Sequence, residues 1–141
     1  MRILILAIAL TTLSGCAMWM PSHDLSQAWV DLVPSEETEL KAVAVDEKPL
    51  DDHRFFQVTP GSHQLDMRYR FEVGAANVGR DSETLERDCR LTLDYDEFSA
   101  GSRYRLVAGG YGFRPWARLY DQNNQLLAKA SERGCGGVAT R

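Results

Sequence analysis

His63-Gln64-Leu65-Asp66-Met67-Arg68-Tyr69-Arg70-Phe71-Glu72-Val73 is the stretch whose reading decides the fold. Apolar or aromatic side chains occupy every second position from His63 to Val73, and polar or charged ones occupy the positions between. Successive side chains of a β-strand point to opposite faces, so this pattern describes a strand with one face on a core and the other in water. On a helix the same residues would be scattered around the circumference.

The period of two recurs on both sides. Upstream, residues 28–33 (AWVDLV), 40–45 (KAVAV after Leu40) and 55–58 (FFQV) are short strands ended by Pro34, by Asp46-Glu47-Lys48-Pro49 and by Thr59-Pro60-Gly61-Ser62. The last of these reads as a tight reversal, which places Val58 opposite His63 and Arg68 opposite His53. Downstream, residues 85–95 alternate so that Cys89, Leu91, Leu93 and Tyr95 share a face, and Tyr104, Leu106 and Ala108 alternate with Arg103, Arg105 and Val107. Residues 116–120 and 125–130, joined by Asp121-Gln122-Asn123-Asn124, predict a terminal hairpin. No stretch of a dozen residues carries apolar positions at helical spacing. Seven or eight short strands at this spacing predict an all-β, antiparallel β-sandwich, with a small β-barrel as the alternative.

The N-terminus belongs to another pattern. One positive charge at Arg2 precedes an apolar run from Ile3 to Leu10, the layout of an export signal, and the run is short of the roughly 20 apolar residues needed to cross a bilayer. Leu13-Ser14-Gly15-Cys16 resembles the lipobox of bacterial lipoproteins. The resemblance implies that residues 1–15 are a signal peptide and that Cys16 becomes a lipidated first residue, carrying about three acyl chains. Ala17, where an aspartate retains enteric lipoproteins in the inner membrane, implies an outer-membrane anchor facing the periplasm. Residues 16–26 then read as the lipidated cysteine and a tether, and residues 27–141 as a single domain.

With Cys16 assigned to lipid, Cys89 and Cys135 are the two thiols left in a compartment where disulfides persist, and they are expected to pair. The chain has 16 basic and 20 acidic residues and no basic block, which argues against nucleic acid and against lying flat on anionic lipid. Tyr111, Phe113, Arg114 and Trp116 form the most suggestive cluster, because aromatic and arginine side chains on a glycine-flexed segment are the usual anchors of binding surfaces. The same residues also read as filling for the end of the core, with Arg114 over a ring. Pro115 cannot donate to a ladder, so this segment belongs at an edge or bulge. The loop of residues 74–84 (GAANVGRDSET) is a second place for a functional loop.

Residues 40–73 also resemble the PEGA-type β-sandwich of small envelope lipoproteins: Val45-Asp46, Pro60-Gly61 and His63 match its turns, whereas Glu47 stands where glycine is usual. Ser99-Ala100-Gly101-Ser102-Arg103-Tyr104 is similar to a turn and strand of such lipoproteins. The resemblance implies a fold and no particular activity.

Catalytic chemistry has little to stand on. His23 lies in the tether, His53 and His63 do not converge, and Asp46, Glu47, Asp51 and Asp52 lack the alternating spacing and pivot glycine of a calcium loop. GxSxG, SxxK, HExxH and phosphate-cradling glycine motifs are missing from the sequence. The expectation is a non-enzymatic, lipid-anchored periplasmic domain without metal or cofactor that binds or scaffolds an envelope protein. A glycan or peptidoglycan fragment stacked on Trp116 and Tyr111 is the alternative, and a hydrolase with no recognisable motif the remote one.

Overall fold

The computed structural model describes residues 20–73 and 85–137. The expected signal peptide, Cys16 and the loop of residues 74–84 lie outside the described residues.

The described chain is all-β. Its strands are β1 (Ala28–Pro34), β2 (Glu39–Val45), β3 (Lys48–Pro49), β4 (Phe55–Val58), β5 (Gly61–Val73), β6 (Leu85–Phe98), β7 (Arg103–Tyr111), β8 (Arg114–Tyr120), β9 (Leu126–Lys129) and β10 (Ser131–Gly137). They form two five-stranded sheets that do not close into a barrel, in the orders β4-β1-β7-β8-β9 (sheet A) and β10-β6-β5-β2-β3 (sheet B). This is a β-sandwich. The alternation in β5 is realised as written: Leu65, Met67, Tyr69, Phe71 and Val73 are buried, and they pack with Leu91 and Leu93 of β6 against Val30, Phe56, Leu106 and Leu119 of sheet A.

Three features depart from the sequence expectation. First, β4 and β5 are not a hairpin. Ala28 of β1 lies opposite Val58 of β4, whereas β5 pairs with β2 and β6, so Thr59 and Pro60 carry the chain from one sheet to the other. Alternation says which side chains point inward, and Phe56 and Leu65 satisfy it equally well from opposite sheets. Gly61, at φ +114°, provides backbone freedom at the corner. His63 fixes it, with Nε2 2.7 Å from the Thr59 carbonyl oxygen and Nδ1 2.6 Å from Asp46 Oδ2.

Second, β1 and β7 run parallel, Trp29 beside Arg103 and Val33 beside Val107, so the sandwich is mixed and not wholly antiparallel. Third, the expected terminal hairpin is not the last element, because residues 131–137 are a further strand. Cys135 lies directly opposite Cys89 on β6, and the two form a disulfide with the Cα atoms 4.0 Å apart.

The β2–β3 turn stores local strain. Asp46 and Glu47 both have positive φ, +50° and +67°, as a two-residue type I′ connection requires. Asp46 is compensated, since its Oδ1 accepts the Gln64 backbone N–H at 2.8 Å. Together with the His63 bond, this holds its carboxyl below the usual carboxylate range. Glu47 has no such bond and is a residue type that avoids this region. Glu47→Gly is therefore expected to stabilise the domain by about 1 kcal/mol and to raise the melting temperature by about 3–5 °C. An unchanged or lower melting temperature in a thermal scan would show that Glu47 costs nothing there.

Candidate functional site

The segment singled out by its aromatic residues and arginine is the hairpin between β7 and β8. Tyr111 and Arg114 lie opposite each other, joined by Gly112 and Phe113. Gly112 has φ +59° at the first of two connecting positions, which a type II′ turn requires and a side chain resists. The two glycines before it have a separate cause. A Cβ on Gly109 would lie 2.5 Å from the Trp116 ring, and one on Gly110 would lie 2.9 Å from the Phe71 ring. The backbone of β7 is thus pressed between an aromatic ring on the outer side of sheet A and another in the core.

Residues Tyr111, Arg114 and Trp116 share the outer side of sheet A, while Phe113 turns toward Arg87 of β6, whose guanidinium is 5.7 Å from the ring centre. Tyr111 is 85% exposed and Phe113 38%; Trp116 is half-buried. The arginine over Trp116 is Arg118, at 4.9 Å, and not Arg114. Because β9 pairs with β8 only from Arg118 onward, Pro115 lies where β8 is locally an edge.

Sequence reasoning missed what continues this surface across sheet A. Arg105 lies opposite Tyr120 with its guanidinium 5.8 Å from the ring centre, and it donates a hydrogen bond to Asn124 Oδ1. Arg118 lies opposite Lys129 of β9. Further along, Trp29 is buried on the outer side, away from the main core. It stacks on Phe55 at 4.2 Å, Arg103 lies 5.2 Å above it, and the ring of His23 covers it at 5.8 Å. Asp31 accepts hydrogen bonds from Trp29 Nε1 at 2.8 Å and from two nitrogens of Arg103 at 3.1 Å each. Partial burial pushes the Asp31 carboxyl up, but these bonds and the Arg103 charge outweigh it and hold the pKa below the usual value. These residues sit between the apolar ones of their strands, where alternation alone assigns them to solvent.

The outer side of sheet B is built differently. Arg68 bonds Asp88 through two contacts of 2.7 Å, Arg70 reaches Glu86 at 3.2 Å, and Lys41 reaches Glu39 at 3.0 Å. Seven carboxylates stand against four cations at the outward positions of β2, β5 and β6.

The other candidate sites separate. His53 bonds the Ala42 carbonyl at 2.7 Å, and His23 bonds the Gln27 carbonyl at 2.7 Å. Asp52 is taken up by Arg54 at 2.6 Å. Thr59, His63 and Asp46 form a sequence of contacts reminiscent of a hydroxyl, a base and an acid, with Thr59 Oγ1 3.0 Å from His63 Nε2. The same nitrogen faces the Thr59 carbonyl oxygen at 2.7 Å, a pure acceptor, so it donates there and is not free to take the hydroxyl proton. Among the described residues no group of three or more His, Cys, Asp or Glu side chains gathers as a metal site. A cavity of about 300 Å³ opens at the hairpin end, lined by Ser35, Thr38, Tyr69, Phe71 and Gly110, and the buried Tyr69 hydroxyl has no hydrogen-bond partner.

Compared with protein families, with curated proteins and with solved structures, the chain matches none.

Proposed function

We propose that this chain is a non-enzymatic, lipid-anchored periplasmic β-domain that binds another component of the cell envelope through the outer side of sheet A and the hairpin that ends it. The observation that carries the reading is a distribution. Every large hydrophobic residue that stands exposed among the described residues belongs to the N-terminal segment (Met20, Leu25) or to sheet A and its hairpin (Val33, Tyr111, Phe113, Leu126). Folding does not require these side chains in water, and their concentration on one sheet and its hairpin, with none on the other sheet among the described residues, favours that side as the interaction surface. The non-enzymatic reading is supported by the lack of a catalytic motif in the sequence and by the engagement of His63 Nε2 with a carbonyl. The anchor rests on the lipobox-like Leu13-Ser14-Gly15-Cys16.

A photo-crosslinking residue at Tyr111, compared with one at Lys41 on sheet B, tests the surface in the native envelope. Adducts should form from position 111 and not from position 41, and they should weaken when Arg114 and Trp116 are replaced by alanine. Equal adducts from both positions, or none from 111, would assign the interaction elsewhere.

Stacking of a glycan on Tyr111 and Trp116 is the second reading, favoured by their common outward side and by the exposure of Tyr111. The mass of the adduct separates the two.

A further inference from the structure

We infer that the component met by sheet A is a bilayer surface bearing anionic phospholipid headgroups, so that the domain lies on the membrane with this sheet downward. The inference rests on the proposed lipid anchor for its geometry, but its charge argument is independent of that anchor.

The chain as a whole is acidic, with a formal net charge of −4. The outer side of sheet A is not, so the whole-chain balance that argued against lying flat on anionic lipid does not hold for this side. Its strands present Arg103, Arg105, Arg114, Arg118 and Lys129 outward against one carboxylate, Asp31, which is already taken by Arg103. Arg118 and Lys129 are directly opposite neighbours, a like-charge pair that costs stability unless an anion sits nearby. Sheet B contains a comparable pair, Arg68 opposite Arg90, and there Asp88 lies on Arg68 at 2.7 Å. In sheet A no carboxylate of the described residues forms an ion pair with Arg105, Arg114, Arg118 or Lys129. The missing anion is the missing partner.

The aromatic residues say what kind of anion. Trp116 and Tyr120 lie under Arg118 and Arg105, and Tyr111 projects beyond them. Arginines laid over tyrosine and tryptophan rings present their guanidinium groups outward, at the level of lipid phosphates, and Tyr111, 85% exposed, is the ring free to reach toward the acyl boundary. The exposed Val33 and Leu126 on the same sheet add apolar contact that an acidic peptide would not use.

Chain connectivity gives the orientation. The N-terminal segment leaves the domain over the outer side of sheet A: His23 covers Trp29, and the Asp24 backbone N–H bonds Gln57 Oε1 of β4 at 2.9 Å. Cys16 precedes Met20 by a span of at most about 14 Å of extended chain. An anchor on so short a lead holds the bilayer close to the cationic side and away from the carboxylates of sheet B.

Vesicle co-sedimentation tests this with the disulfide-bonded mature chain, residues 16–141, carrying Cys16→Ser so that no acyl chain contributes. Binding is expected to vesicles in which about a third of the lipid is phosphatidylglycerol, to fall with added salt, and to be weak on phosphatidylcholine alone. Each cation near the surface is worth roughly fivefold, so Arg105→Gln with Arg118→Gln should weaken binding about thirtyfold. Arg114→Gln alone should weaken it about fivefold, and Lys41→Gln with Arg90→Gln on sheet B should stay within about twofold. Circular dichroism confirms that each variant is folded. No binding, equal binding to neutral vesicles, an equal loss from the sheet B pair, or binding to polyglutamate in place of vesicles would each overturn the inference. Mass analysis of the chain from its own envelope decides the anchor separately, by whether Cys16 carries lipid.

Discussion

Replacing Cys89 and Cys135 together with alanine is expected to lower the stability of the domain by about 4 kcal/mol, the loop-closure entropy of a cross-link spanning 46 residues. In a thermal scan that is a fall of about 15 °C. The loss should also be uneven. β10 reads Ser-Glu-Arg-Gly-Cys-Gly-Gly and carries no aliphatic or aromatic side chain, its register slips between Glu132 and Gly134, and Gly134 sits at φ +154°. The disulfide supplies what its side chains lack. Without it, amide protection should disappear first in β10 and leave β6 as an exposed sheet edge, while β5 keeps its protection. A double variant that loses less than about 1 kcal/mol would mean that the β10 ladder holds by its backbone bonds alone. Mild reduction of the unmutated protein gives the same comparison without the cavity that alanine leaves at the buried Cys89.

Trp29→Ala is the second change with a large expected effect, about 3–5 kcal/mol in denaturant unfolding. Trp29 is 1% exposed although it points away from the space between the sheets, because Phe55, Arg103 and His23 build a separate cover over it. Removing the indole strands Asp31 without its 2.8 Å donor and takes away the ring on which His23 rests. The segment before β1 should therefore become protease-sensitive at Leu25, and Trp29→Phe should restore about half of the stability by keeping a ring against Phe55. The half-buried Trp116→Ala on the same side should cost no more than about 1 kcal/mol. Comparable losses from the two tryptophans would mean that the cover over Trp29 contributes little.

Much of the fold is written in the period of the strands. The inward residues of β5, β6, β7 and β8 can be read directly, because burial on one side imposes alternation whatever the neighbours are. Which sheet a strand joins cannot be read that way. Phe56 and Leu65 look like two sides of one hairpin in sequence and enter the core from opposite sheets in space. The parallel pairing of β1 with β7 has no local signature, since its partners are set by the arrangement of the whole chain. At the candidate surface, Tyr111, Arg114 and Trp116 were legible because glycines and a proline interrupt the period around them. Arg105, Arg118 and Lys129 were not, because an arginine at every second position of a strand looks like ordinary solvation until its neighbours are known to be cations too. Net charge concealed the same fact: it sums over both sheets, and the excess carboxylates of sheet B hide the cations of sheet A.

The parallel ladder of β1 and β7 also sets the order in which the structure can be made. β5 and β6 are adjacent in the chain and share the longest ladder among the described residues, so sheet B is built around contacts of low sequence separation, which cost the least chain entropy to close. β1 is made before them and waits for β4 on one side and β7 on the other, with Trp29 exposed until Arg103 arrives. For a newly made chain, the first strand to emerge is among the last to be enclosed, and the apolar Ala28, Trp29 and Val30 need shelter from other chains until sheet A closes.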